Sequence, residues 1–124
     1  MVIQMLGTNL DYLCAKHGQE IPNSKDDERL IQKALGVLQE DGLFAFIVFL
    51  ESKRDSKDND VVLRILKKSE ALLNEIGLPK AASGKNLKEE ILELTKDIDS
   101  MFLAKGVVER ALTYALYNAR ALGK

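Results

Sequence analysis

An all-α bundle of five to six helices, with a Phe-rich helix buried at its centre, is the fold class this sequence predicts. Three observations lead there. First, 20 Leu and 11 Ala stand against 18 β-branched residues, with only 8 Gly and 2 Pro in 124 positions, a balance that favours helix over strand. Second, apolar residues recur at spacings of three and four through most of the chain, as one face of a helix requires. Third, no stretch alternates apolar and polar with period two, so a strand would find no partner to pair with.

Taken in order, Met5 or Leu6, Leu10, Leu13, Cys14 and His17 form the first apolar stripe, and Val2 to His17 reads as a helix stopped by a left-handed Gly18. Glu20 to Asn23, with Pro22, is a connector. Asn23 or Ser24 can cap a second helix, whose first turn carries Asp26, Asp27 and Glu28 and whose buried face is Leu30, Ile31, Ala34, Leu35 and Leu38. Gly42 ends it. Leu43 to Lys53 is apolar all round in its middle, at Phe44, Phe46, Ile47, Val48 and Phe49. Periodicity leaves strand and helix both open there, and the lack of any partner strand selects helix.

A polar turn, Arg54 to Asp60, follows. Asp58 or Asp60 can then cap a helix with Val62, Ile65, Leu66, Ser69, Leu72, Leu73 and Ile76 on one side, closed by Gly77. Leu78 to Lys85 reads as a loop. Asn86 with Glu89 resembles a capping box opening a helix through Leu87, Ile91, Leu94 and Ile98. Asp99-Ser100 offers a second start, leading into a final helix with Val108, Ala111, Leu112, Ala115, Leu116, Ala119 and Leu122 inward. Residues 87–122 read equally as one kinked helix or two. At this length, residues 1–124 are expected to make one domain.

Composition excludes several classes of function. One Cys rules out an intramolecular disulfide, and one Cys with one His cannot supply a zinc site. The longest apolar run, Leu43 to Leu50, is far short of the roughly 20 residues that span a bilayer, and the N-terminus shows no basic region before an apolar core. A soluble, cytoplasmic protein is expected. Ser83-Gly84-Lys85 has the ending of a phosphate-binding loop, yet Pro79 and Asn86 stand where that motif needs Gly and Ser or Thr. Cys14 and His17 share a helix face but lack the other groups of a nucleophilic site, so core packing explains them. The acidic clusters at 26–28 and 89–93 sit at helix starts, where the macrodipole favours them. No enzyme, cofactor or small-molecule substrate is expected.

Charge is informative in its placement. The formal net charge is −1, which gives no global field to attract a polyanion. Residues 1–42 carry 4 basic and 7 acidic groups, whereas residues 102–124 carry 4 basic and 1 acidic. Lys53, Arg54, Lys57, Arg64, Lys67 and Lys68 make a basic concentration in the middle of the chain, diluted by Asp55, Asp58 and Asp60. On the last helix Arg110, Tyr114 and Tyr117 fall along one line, with Arg120 and Lys124 beside it and opposite the Ala and Leu face. Such a stripe suits phosphate contacts and base stacking. A solvated helix face with tyrosines at its margin is the alternative.

From Leu30 onward, about two thirds of the chain, the order of features resembles the small subunit of the Cmr complex, the type III-B RNA-targeting CRISPR effector built around RAMP proteins. Gly42-Leu43 followed by Ala45-Phe46-Ile47-Val48-Phe49-Leu50-Glu51-Ser52-Lys53 is similar to that family's helix end and apolar helix closing in a Phe-Leu-x-Ser-Lys-like stretch. A polar gap and an amphipathic helix at 61–76 come next. Phe102-Leu103-Ala104 and Glu109-Arg110-Ala111-Leu112-Thr113-Tyr114-Ala115 look like its final helix. Where family members tend to carry Trp and then Lys-Arg, this chain has Leu116-Tyr117-Asn118-Ala119-Arg120, so the basic pair is not supplied here.

The resemblance implies a non-catalytic helical protein that takes part in antiviral defence. Its partners would be other CRISPR effector subunits, copies of itself and the backbones of guide and target RNA. Lys53, Arg54, Arg64, Lys67, Lys68, Arg110, Tyr114, Tyr117 and Arg120 are the expected nucleic-acid contacts. A helical protein-interaction adaptor with no nucleic-acid role is the expectation from a different class.

Overall fold

The amphipathic spacings fold into six α-helices and one 3-10 turn among the described residues, with no strand. The computed structural model describes the backbone of residues 2–78 and 87–123, and side chains from residue 10 onward within those ranges. Helix α1 is Val2–Gln19, a 3-10 turn spans Lys25–Asp27, and α2 is Glu28–Asp41. Then come α3 (Leu43–Ser52), α4 (Asn59–Glu75), α5 (Leu87–Leu94) and α6 (Ile98–Leu122). The expected inward positions at Met5 and Leu6, the loop at 79–85, the Ser83-Gly84-Lys85 fragment, the Asn86 cap and Lys124 lie outside the described residues.

Helix α6 is the spine. It runs against α1 and α2, while α3 packs on α2, α5 on α3, and α1 reaches α4. The core is the union of the apolar stripes: Leu30, Ile31, Ala34, Leu35 and Leu38 of α2, Val62, Ile65, Leu66, Leu72 and Leu73 of α4, and Val108, Ala111, Leu112, Ala115, Leu116 and Ala119 of α6 are all buried. Leu43, Phe46, Ile47 and Leu50 put the α3 stripe fully inside it. A helix that is apolar almost all round belongs there; Phe44 and Phe49 are half-buried at its margin, and Val48 is exposed.

Two glycines make the turns that backbone geometry demands. Gly42, at φ 96°, separates α2 from α3. Gly77, at φ 86°, closes α4: its N–H donates to Asn74 O at 3.1 Å while the Leu78 N–H reaches back to Leu73 O at 2.6 Å, the paired bonds of a Schellman stop.

Several expectations need correction. Gly18 is not a left-handed stop; it lies inside α1, which continues to Gln19, and no positive φ occurs there. The second helix is not capped by the Asn23 or Ser24 side chain. Instead the Asp27 carboxylate accepts from the Asn23 N–H at 2.8 Å across the 3-10 turn. Residues 87–122 form two helices. Asp97 takes an extended conformation and its carboxylate accepts from the Ser100 N–H and hydroxyl at 3.4 and 3.0 Å, so Asp97 caps α6 and the helix starts at Ile98, one residue before Asp99-Ser100. Ile98 thereby leaves the α5 stripe and is 68% exposed, and Leu122, the last residue of α6, is exposed as well.

Candidate nucleic-acid interface

Of the nine expected contact residues, most are engaged by the protein's own carboxylates. Arg64, on α4, is the most committed. Its Nε donates to Ile21 O at 2.5 Å, and its two terminal nitrogens reach Asp27 and Asp60 at 2.7 and 2.8 Å, so it staples the 20–27 connector to α4. Lys68, one turn further on, pairs with Glu20 at 2.7 Å. Arg54 meets Glu51 at 3.3 Å across an exposed turn. Lys67 points to solvent and has no ion pair among the described residues.

On α6, Arg110 and the Tyr114 hydroxyl both donate to Asp11 of α1 at 2.6 Å. The Tyr114 hydroxyl, and after it the Arg110 guanidinium, hold the Asp11 carboxyl below its ordinary range, and the same carboxylate pushes the Tyr114 phenol above its own. Arg120 pairs with Glu28 through Nε at 2.7 Å. Arg64 and Arg120 therefore grip adjacent carboxylates, Asp27 and Glu28, from two different helices. Tyr117 is different. It is 61% exposed, with the Arg120 guanidinium 5.9 Å from its ring centroid, which leaves an amphipathic ring facing solvent.

The structure joins Lys53 and Lys57, both in the basic concentration legible in the sequence, to Arg29 and Lys33, which the sequence did not single out. Arg29 and Lys33 of α2 line one groove with Lys53, at the end of α3, and Lys57, in the following turn. Leu30 also lines it, and Asp26 and Asp58 are its carboxylates. None of these four cations has an ion pair among the described residues. Lys53 is held instead 5.9 Å from the centroid of Phe49. The one signal available was the i, i+4 spacing of Arg29 and Lys33 on the polar side of α2, masked locally by Asp26, Asp27 and Glu28.

The turn presenting Lys57 is internally bonded. The Ser56 hydroxyl donates to Lys53 O at 2.7 Å and accepts from the Asp58 N–H at 3.1 Å, while the Asn59 amide caps Arg54 O.

Elsewhere Cys14 donates through its thiol to Val107 O at 3.4 Å, and burial pushes that thiol up to about 11. It is a core residue, with His17 turned away to Glu75 of α4. Among the described residues no group of three or more His, Cys, Asp or Glu is placed to hold a metal ion, and no helix is long and apolar enough to cross a membrane. No family model, curated protein or solved structure matches this chain.

Proposed function

We propose that this protein is a non-catalytic small subunit of a CRISPR-associated, RNA-targeting ribonucleoprotein of the Cmr kind, stacking along the guide-target duplex and holding it by its backbone. Sequence would be read by base pairing between guide and target, with the helical subunit supplying position. The observation that carries the reading is Tyr117: a ring left exposed on the outer face of α6, beneath a guanidinium, is a platform for a base. Two blocks of the resemblance support it, since Gly42-Leu43 is the α2–α3 junction and Phe102 to Ala115 lies within the spine helix.

Tyr117→Ala tests it. A stacked base makes the substitution cost on the order of 1 to 3 kcal/mol in RNA binding by the assembled complex, with folding kept. Unchanged RNA retention by that variant would remove Tyr117 as a stacking platform, and with it the observation that carries the nucleic-acid reading.

A protein-interaction adaptor is the second reading, and one observation favours it. Phe102 and Ile98, at the start of α6, are 69% and 68% exposed, apolar surface of the kind that marks protein contacts. The two readings separate on salt, because phosphate contacts weaken steeply with ionic strength and apolar contacts do not.

A further inference from the structure

We propose that the groove between the start of α2 and the α3–α4 turn is the phosphate-binding track for the RNA strand, with Arg29, Lys33, Lys53 and Lys57 as its contacts. This rests on the nucleic-acid reading above and changes which residues carry it.

A cation that is already ion-paired must give up its partner to bind a phosphate. Arg64, Lys68, Arg110 and Arg120 each sit 2.6 to 2.7 Å from a carboxylate of another segment. To meet RNA they would first have to break ion pairs that hold the 20–28 connector and α1 in place. Arg29, Lys33, Lys53 and Lys57 give up nothing of the kind, and their convergence leaves like charges facing one another with no internal counter-charge beyond Asp26 and Asp58. Four cations against two carboxylates leave the groove net positive in a chain whose overall charge is −1. A locally positive concavity on a near-neutral protein concentrates a polyanion at that place without attracting it elsewhere.

The carriers of these side chains are ordered. Arg29 and Lys33 are one helical turn apart on α2, which places their stems about 6 Å apart along the helix axis. Lys53 is steadied by the Phe49 ring and Lys57 by the Ser56 and Asn59 hydrogen bonds. Successive phosphates of one strand can therefore be met from both walls of the groove. A second depression, lined by Lys25, Asp26, Glu28, Arg29 and Gln32, shares Asp26 and Arg29 with it and reaches Glu28, the partner of Arg120. A strand leaving the groove in that direction runs toward the Tyr117 ring.

The test compares two double variants of the whole chain that change net charge equally: Lys33→Glu/Lys57→Glu in the groove, and Lys88→Glu/Lys96→Glu on the α5 side. Each is titrated with a fluorescent single-stranded RNA oligonucleotide across a salt series, with circular dichroism to check folding. The groove variant is expected to lose on the order of tenfold in affinity at low salt and to flatten the log-affinity against log-salt slope by about 1.4, roughly 0.7 for each phosphate contact removed. The α5 variant is expected to bind nearly as wild type. Equal losses in both variants would reduce the effect to net charge and overturn the groove. Wild-type binding by the groove variant would also overturn it, leaving the function itself standing. If wild type shows no salt-dependent RNA binding, both the groove and the nucleic-acid reading fall.

Discussion

Gly18 of α1 lies directly against Ala111 of α6. A methyl group at Gly18 would stand 2.9 Å from Cβ of Tyr114 and closer still to the Ala111 carbonyl oxygen. The glycine is there for contact between two helix backbones, in the most extensive helix pair of the fold. Gly18→Ala is therefore expected to destabilise by about 1 to 3 kcal/mol, as overpacking does. Gly36→Ala is the contrast. It lies within α2, and its added methyl meets nothing within 4 Å, so it should stabilise by about 0.5 to 1 kcal/mol through helix propensity alone. Urea denaturation of the two variants gives opposite shifts in midpoint.

Phe46 is fully buried and Phe102 is 69% exposed, although both are phenylalanines inside helices. Phe46→Ala should cost about 3 to 5 kcal/mol. Phe102→Ala should stay within about 0.5 kcal/mol of wild type. A near-neutral Phe46→Ala would mean that α3 is not the centre of the core.

Arg64 and Asp27 are expected to be coupled. A double-mutant cycle with Arg64→Ala and Asp27→Ala should return a coupling of about 0.5 to 3 kcal/mol in stability. Arg64→Lys should not restore it, because one ammonium cannot meet Ile21 O, Asp27 and Asp60 in the planar geometry that the guanidinium uses. Additive single effects would show that the connector is held by packing at Ile21 and Pro22 alone.

Acid should loosen α1 first. Asp11 is held below its ordinary range by Tyr114 and Arg110, Glu20 by Lys68, and Glu75 by His17. A carboxylate whose value is lowered on folding contributes stability that is present above its unfolded value, about 4 for Asp and Glu, and is lost as pH falls through the folded value. The urea midpoint should thus fall below about pH 4. In Asp11→Asn/Glu20→Gln/Glu75→Gln that part of the profile should flatten, with the midpoint at neutral pH lower than wild type. An unchanged acid limb would assign the acid sensitivity to other carboxylates.

The helices were legible because burial here follows period: every inward residue named for α2 and α4 is buried, and the caps at Gly42 and Gly77 are local chemistry. Gly18 was misread because a glycine near a helix end carries the same letter whether it turns the chain or admits a neighbouring helix. Ile98 was misread because one carboxylate, Asp97, breaks a stripe that runs unbroken in spacing. The basic residues failed for a longer-range reason. Sequence shows where cations are, and pairing depends on residues 37 to 99 positions away, as for Arg64 with Asp27 and Arg110 with Asp11. The free groove joins α2 to a turn some twenty residues later, which no local window contains.

Membership of an RNA-guided complex, as proposed, is decided by purifying the chain at native abundance from its own host, then sequencing the RNA and identifying the proteins that co-elute. The expected result is RAMP-type effector subunits in fixed ratio, with guide RNA that remains bound through the wash and is lost from the complex only with the protein. Recovery of the chain with a different set of proteins and no RNA would contradict it.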